Sequence, residues 1–120
     1  MKKKLLLIIL IIVIVSIFMF LRSKNSIQGP VKTFIVMGTS FAFNPSTMTV
    51  DKGDTVKLIF KDDDGSHNLI IDGYNVSTKI LNQGQEQEVT FVADKKGLFK
   101  MYCSLPGHED NGMVGKLIVN

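Results

Sequence analysis

From Val31 onward, short runs rich in Val, Ile, Thr and Phe alternate with clusters of Asp, Asn and Gly. No apolar period of 3.6 residues persists over ten residues, so this part of the chain favours strands over helices. The predicted strands are Lys32–Met37, Thr47–Val50, Thr55–Lys61, Asn68–Asp72, Glu86–Ala93, Phe99–Cys103 and Lys116–Val119. Seven to eight strands at this spacing predict an all-β domain built as a two-sheet antiparallel sandwich.

Apolar and polar residues alternate within several of these strands. Successive side chains of a strand point to opposite faces of the sheet, so every second residue shares a face. One such face is apolar in each strand and is predicted to line the core. The residues expected there are Val56, Leu58, Phe60, Val89, Phe91, Ala93, Phe99, Met101 and Cys103.

The N-terminal segment has a different pattern. Lys2, Lys3 and Lys4 precede Leu5–Leu21, a run that is apolar except for Ser16. As a helix this run extends roughly 26 Å, near the lower limit for crossing a bilayer. No cleavage site of small residues follows it, so the sequence predicts an uncleaved signal anchor over residues 1–22, with a cleaved signal peptide as the alternative.

The expected domain organisation follows from these patterns. Residues 23–30 are polar, end in Gly-Pro and are predicted to be a linker, and residues 31–120 are predicted to be one domain. More positive charge precedes the apolar run than follows it, which favours a cytoplasmic N-terminus. We therefore expect a single-pass protein of the cytoplasmic membrane with its domain on the extracytoplasmic face, or a secreted domain if the segment is cleaved.

The net charge of +3 is unevenly distributed along the chain. The first thirty residues hold five Lys and Arg and no acid, whereas the remaining ninety hold nine Lys and eleven acids. The predicted domain therefore carries no basic patch interleaved with aromatic residues, and nucleic acid is excluded as an expected partner.

Three residues with metal-binding side chains lie close together near the C-terminus. Cys103, His108 and Met113 are separated by four residues at each step, and the second histidine of the chain, His67, lies in a distant segment. Thiolate, imidazole and thioether are the donors of a copper electron-transfer site, because soft sulfur suits Cu(I) and imidazole suits Cu(II). Zinc sites use Cys, His and carboxylate rather than thioether, so zinc leaves Met113 unexplained. The four residues predict one type 1 (blue) copper ion.

Four segments of the sequence resemble the cupredoxin family, which includes plastocyanin, azurin and rusticyanin. The segments are Phe41–Val56, Ser66–Ile71, Gly97–Ser104 and Gly112–Val119. The second is similar to the family's first ligand strand, the third to its ligand-cysteine strand, and the fourth to its axial-methionine turn and final strand. The resemblance covers nearly all of residues 31–120 and implies a cupredoxin-like Greek-key β-sandwich, here preceded by the N-terminal transmembrane helix.

The resemblance also implies roles for residues around the four ligands. Asn68 stands where family members join the two ligand loops by hydrogen bonds, and the carbonyl of Ser66 stands where a distant axial contact to copper would lie. The edge of the His108 ring would reach the surface beside Leu105 and Pro106 and serve as the electron exit. The two four-residue gaps are similar to the ligand loop of rusticyanin.

We therefore expect a protein that carries single electrons between redox partners outside the cytoplasm. It would not be an enzyme, it would be a monomer, and its partners would belong to a membrane or extracytoplasmic electron-transfer chain. The alternative is a copper carrier or storage protein that delivers copper to a membrane or periplasmic oxidase, although the sequence has no Met-rich or His-rich tract. A metal-free sandwich used for adhesion or assembly is a third possibility.

A cysteine-nucleophile enzyme is a chemical competitor. It would pair Cys103 with His67 or His108 as the base, but it leaves Met113 unexplained. Asp62-Asp63-Asp64 is expected to form a solvated turn. The alternative is that these residues, with Glu109 and Asp110, form an acidic patch beside copper that docks a basic redox partner.

Overall fold

The computed structural model describes residues 1–22 and 28–120, so most of the predicted linker lies outside the described residues. The apolar N-terminal run forms helix α1 (Lys2–Arg22), in which no residue is buried. Aliphatic side chains without Gly or Pro favour this uninterrupted helix. By length and composition α1 could cross a membrane, and a signal sequence has the same properties.

The rest of the described chain is built almost entirely from short strands. They are β1 (Val31–Thr39), β2 (Ala42–Asn44), β3 (Thr47–Val50), β4 (Thr55–Asp62), β5 (Ser66–His67), β6 (Ile70–Ile71), β7 (Val76–Ser77), β8 (Leu81–Asn82), β9 (Glu86–Val92), β10 (Gly97–Tyr102) and β11 (Val114–Val119). A four-stranded sheet has the order β2-β1-β4-β9 and a five-stranded sheet the order β3-β11-β10-β6-β7. Strands β5 and β8 form a separate small pair.

Two of the strand pairs are parallel, so the predicted antiparallel arrangement was wrong for them. Val31–Gly38 of β1 runs parallel to Thr55–Asp62 of β4, and Thr47–Val50 of β3 runs parallel to Lys116–Val119 of β11. The reason is the path of the chain: after β1 and β2 it crosses to the second sheet as β3 and then returns to the first as β4. A return through the opposite sheet, instead of a hairpin, allows β4 to run in the same direction as β1.

The core lies between the two larger sheets and agrees largely with the alternation. Val56, Leu58 and Phe60 of β4 are fully buried and alternate with partly exposed residues. Val89, Phe91 and Phe99 pack against this core while remaining partly exposed. The other buried apolar residues are Val36, Phe43, Met48, Val50, Leu69, Ile71, Val76, Leu81, Ala93, Met101, Cys103, Met113, Leu117 and Val119. None belongs to α1, so residues 28–120 contain the whole core.

The predicted strand Asn68–Asp72 is the clearest difference between expectation and structure. The chain forms β5 before this segment and β6 within it, and leaves the ladder at Asn68 and Leu69. The side chain of Asn68 bonds to Ser104, and the backbone N–H of Leu69 donates to Thr78 Oγ1 at 2.9 Å. The Leu69 N–H is thus bonded to a side chain instead of a ladder partner, which interrupts the strand at this point.

Strands β2, β7 and β8 were not predicted. Each has only two or three residues, too few to show alternation.

Candidate metal centre

His67 lies in β5 with 3% of its surface exposed. Its backbone pairs with Leu81 of β8, which positions the residue in the small sheet. The side chain of Asp62, at the end of β4, contacts it twice: Asp62 Oδ2 accepts the His67 backbone N–H at 2.9 Å, and Asp62 Oδ1 lies 2.9 Å from His67 Nδ1. The first predicted ligand is therefore held from both its backbone and its ring.

Cys103 follows directly after β10 and is fully buried as a free thiol. Its Sγ lies 3.6 Å from Nδ1 of His108. Its backbone N–H donates to the carbonyl of Met113 at 3.3 Å, which brings the two ends of the loop together. The thiol and the imidazole that the sequence predicts as ligands are thus neighbours.

The loop between Cys103 and Met113 is a series of tight turns. The His108 N–H donates to Leu105 O at 3.1 Å, and the Met113 N–H donates to His108 O at 3.0 Å. Gly107 has a φ of 79° and Gly112 a φ of 100°. These left-handed conformations suit glycine, which has no Cβ, and they allow the chain to return toward its starting point.

Met113, directly before β11, is fully buried. A Cβ built at Gly38 of β1 would lie 3.6 Å from Met113 Cε and 2.8 Å from Phe60 Cζ. A side chain at Gly38 would therefore displace the Phe60 ring, whereas its Cβ would make only an ordinary van der Waals contact with Met113.

The two histidine rings lie side by side, with centroids 5.1 Å apart and planes at 61°. The structure thus brings Cys103, His108 and His67 together and places Met113 in the same loop. Within residues 1–22 and 28–120, no group of three or more His, Cys, Asp or Glu side chains is arranged so that it could hold a metal ion. Metal–ligand bonds to imidazole and thiolate are about 2.0–2.3 Å long, so these residues would close around a bound ion. Their donor types fit copper.

Asn68 connects the two segments that carry the predicted ligands. Asn68 Nδ2 donates to Ser104 Oγ and Asn68 Oδ1 accepts the Ser104 backbone N–H, both at 2.8 Å. The residue after His67 is therefore joined to the residue after Cys103. Ser66 bonds through its hydroxyl to Asn82 Oδ1 at 2.7 Å, and the role of its carbonyl stays a prediction.

The surface beside His108 contains a residue that the sequence did not indicate. Leu105 and His108 are partly buried and Pro106 is exposed. Phe41, in the turn between β1 and β2, packs edge-on against the His108 ring at a centroid distance of 5.2 Å while 43% exposed. Phe41 has a φ of 57°, which is unusual for a bulky residue, and this left-handed turn directs the ring toward His108. The alternation of apolar and polar residues does not indicate this contact.

The triple Asp is neither one solvated turn nor one acidic patch, so both expectations were wrong for Asp62. Asp62 is 2% exposed and contacts His67, whereas Asp63 is exposed. Asp64 accepts a hydrogen bond from Ser40 Oγ at 3.1 Å. The three residues have different environments because Asp62 belongs to β4 and faces inward at the end of the strand's buried face.

Comparison with known proteins agrees with this architecture. The sequence model of the family described as "Cupredoxin-like domain" matches residues 10–119. The chain belongs to this family. Cupredoxins bind copper, and relatives such as plastocyanin, auracyanin and rusticyanin are electron carriers rather than enzymes. The cupredoxin fold also occurs in an enzyme, the copper nitrite reductase of Nitrosomonas europaea.

Two curated relatives illustrate the range of the family. Copper-resistant cuproprotein CopI of Rubrivivax gelatinosus is 28% identical over 105 residues, which is 71% of this chain and 64% of CopI. Plastocyanin of a Synechococcus strain is 33% identical over 104 residues, covering 74% of each chain. This chain spans less than two thirds of CopI and only 13% and 10% of two nitrous-oxide reductases that it also matches.

A solved structure gives the same fold. Auracyanin A, described as a "blue" copper protein from Chloroflexus aurantiacus, superposes with a TM-score of 0.65 at 26% identity. The superposition covers 77% of this chain and all of auracyanin A. The strand-rich part of this chain therefore has the cupredoxin fold.

Replacing Asn68 tests the connection between the two ligand segments. Asn68→Ala removes both hydrogen bonds to Ser104 and is expected to lower the unfolding free energy of the metal-free domain (residues 28–120) by about 1–3 kcal/mol. Chemical denaturation followed by circular dichroism measures this. Ser104→Ala is the matched control, because it removes only the hydroxyl contact. An equal loss of stability in the two variants would show that the hydrogen bond from the Ser104 backbone N–H to Asn68 Oδ1 does not stabilise the domain.

Replacing Phe41 tests the strained turn. Phe41→Gly and Phe41→Ala both lose the contact with His108, but only glycine adopts a φ of 57° without a steric cost. The glycine variant of the domain is expected to be more stable than the alanine variant by about 1 kcal/mol. Thermal and urea unfolding would show the order. If alanine were the more stable of the two, the turn would not hold a left-handed residue in solution.

Proposed function

We propose that this chain is a type 1 copper protein that carries single electrons between redox proteins outside the cytoplasm. The observation that carries the proposal is the contact between the buried Cys103 Sγ and Nδ1 of the partly buried His108, 3.6 Å apart, with the His67 ring beside it. A thiolate and two imidazoles, together with the thioether of Met113, form the donor set of such a site. A single copper ion would supply a one-electron couple.

Each of the four residues has a separate part in this proposal. Cys103 would bind as a thiolate and supply the main electronic coupling, while His67 and His108 would hold the oxidised ion. Met113 would supply the weak ligand that helps to set the reduction potential of the copper ion. Because the four residues come from a tightly hydrogen-bonded loop and a paired strand, their positions would change little between oxidation states, which keeps the reorganisation energy low.

The proposed electron exit is the partly exposed edge of His108. Leu105 and Pro106 precede His108 in the loop and Phe41 packs against its ring, so apolar residues suited to a docking partner lie beside the proposed exit. Glu109 is paired with Lys100 of β10, so its charge is neutralised locally. A partner that docks here would contact the ring whose Nδ1 lies 3.6 Å from Cys103 Sγ.

Helix α1 supports a location at the membrane. Its exposed aliphatic surface is suited to lipid, and we propose that it is an uncleaved signal anchor with the domain on the extracytoplasmic face of the cytoplasmic membrane. The partners would then be redox proteins of a membrane or extracytoplasmic chain, met by a monomer on a short tether.

The second candidate function is copper delivery or storage. The similarity to the copper-resistant cuproprotein CopI, at 28% identity, favours it. A delivery protein would use the same ligands but would release the ion to an acceptor such as an oxidase. The burial of Cys103 and Met113 argues for retention instead.

Addition of Cu(II) to the metal-free chain tests the copper site. The wild type is expected to bind one equivalent and to develop an intense blue absorption band from charge transfer between thiolate and copper. Cys103→Ser removes the thiolate and is expected to remove that band. Visible absorption and electron paramagnetic resonance measure both. A wild type without the blue band would overturn the type 1 assignment.

A second measurement distinguishes electron transfer from copper delivery. An electron carrier is expected to give a reversible one-electron wave in voltammetry and to retain copper for hours against a Cu(I) chelator. His108→Ala removes the partly exposed predicted ligand, so it is expected to release copper rapidly and serves as the control. Rapid transfer of copper from the wild type to the chelator, at the rate of this variant, would favour delivery.

A further inference from the structure

The chain enters the domain at one end of the sandwich, which we call the base. The Gly29 N–H donates to Gly53 O at 2.7 Å, and the Gly53 N–H donates to Ala93 O at 2.8 Å. The Lys52 N–H donates to Asn120 O at 2.9 Å. The base therefore comprises four segments that meet at this end: 29–30, 51–54, 93–97 and 119–120.

The candidate metal centre lies at the opposite end of the same strands. Strand β10 begins in the base at Gly97 and leads to Cys103, and Met113 precedes β11, which returns to the base. Strand β1 leads from the base to the turn with Phe41, whose ring contacts His108. Gly97 and Cys103 are six residues apart. At about 3.3 Å per residue, the site is therefore roughly 20 Å from the base.

The covalent connection between α1 and the base is short. Arg22 is the last residue of the helix, and Gly29 is already bonded to the base. These two residues are seven positions apart in the chain. An extended chain advances at most about 3.6 Å per residue, so their separation cannot exceed about 25 Å. A bilayer that α1 enters therefore lies within reach of the base.

The two ends of the domain differ in charge. The base and its neighbour Lys32 hold more lysines than acids: Lys32, Lys52, Lys95 and Lys96 against Asp51, Asp54 and Asp94. Acids outnumber lysines beside the candidate site: Asp62, Asp63, Asp64, Glu109 and Asp110 against Lys100. Anionic headgroups attract basic groups that come within about 8 Å, the Debye length at physiological ionic strength, and repel acidic ones. An anionic bilayer therefore favours the base.

Exposed apolar side chains also lie next to the base. Val31 is 66% exposed and Leu98 is 65% exposed, more than any other large apolar residue within 28–120. Val31 directly follows the base segment 29–30 and Leu98 directly follows 93–97, and the two belong to different sheets. Apolar side chains beside basic ones are suited to the boundary between lipid headgroups and acyl chains. Both sheets therefore present such a residue at the end where the chain arrives from α1.

We propose that the base contacts the anionic lipid headgroups of the bilayer that α1 enters, and that the candidate metal centre faces away from this bilayer. The proposal rests on the membrane anchor proposed above. It also restricts the redox partner, because a protein that reaches His108 approaches from the aqueous side, roughly 20 Å above the headgroups. A protein embedded in the bilayer reaches the site only through a part that projects by that distance.

Amide NMR of the metal-free full chain in lipid nanodiscs tests the orientation. The discs contain phosphatidylcholine, anionic phosphatidylglycerol and a small fraction of lipid with gadolinium at its headgroup, which broadens the signals of nearby amides. The expected result is loss of the Gly53 and Gly97 signals and retention of the Gly107 and Gly112 signals. Equal loss at both ends, or greater loss at Gly107 and Gly112, would overturn the orientation. A chain that does not copurify with the discs would refute the proposed anchor, and this proposal with it.

Charge reversal tests the contact with headgroups. Lys52→Glu combined with Lys96→Glu changes two exposed lysines of the base. Lys79→Glu combined with Lys116→Glu is the matched control, because it changes the net charge equally at exposed lysines outside the base. In the anionic discs, the first variant is expected to lose the difference in broadening between the two ends, and the control is expected to keep it. The same broadening pattern in both variants would refute the contact between the base and the headgroups.

Discussion

The pair of hydrogen bonds between Asn68 and Ser104 is the interaction on which the candidate site depends. It joins segments that are 36 residues apart in the chain, and each bond is 2.8 Å long. One segment carries His67 and the other carries Cys103, so the bonds set the relative position of two predicted ligands. The ladder is interrupted at Asn68, and His67 and Ile70 belong to different sheets.

The polar groups around the site are also arranged so that each buried one has a hydrogen-bond partner. Burying a carboxylate or an amide without a partner costs several kcal/mol, roughly 2–7 for a neutral group and more for a charge. Among the described residues, no buried side-chain nitrogen or oxygen is without a hydrogen-bond partner. Asp62 and Asn68 satisfy this requirement by bonding to residues in or beside the predicted ligand set, so folding the polar interior also orients the site.

Parts of the fold were predictable because they depend on local periodicity. The buried face of β4, with Val56, Leu58 and Phe60, follows directly from alternation, and the long strands were located to within a few residues. The donor set of Cys, His and Met was also visible, because three of its members lie within eleven residues. Copper binding by these four residues stays a prediction, as do the bounds of the anchor and the linker.

The sequence by itself thus determined the class of fold, the family, the apolar helix and the candidate ligands, because each is recorded in spacing along the chain. Tertiary structure alone decided the parallel pairing of β1 with β4, the burial of Asp62 against His67 and the contact of Phe41 with His108. These features join residues from different strands and turns through packing and side-chain hydrogen bonds. No local pattern of polarity reports which distant partner a side chain will meet. The acidic run suggested a solvated turn or a patch beside copper but not the burial of Asp62 against His67, and the sequence did not indicate the contact of Phe41 with His108.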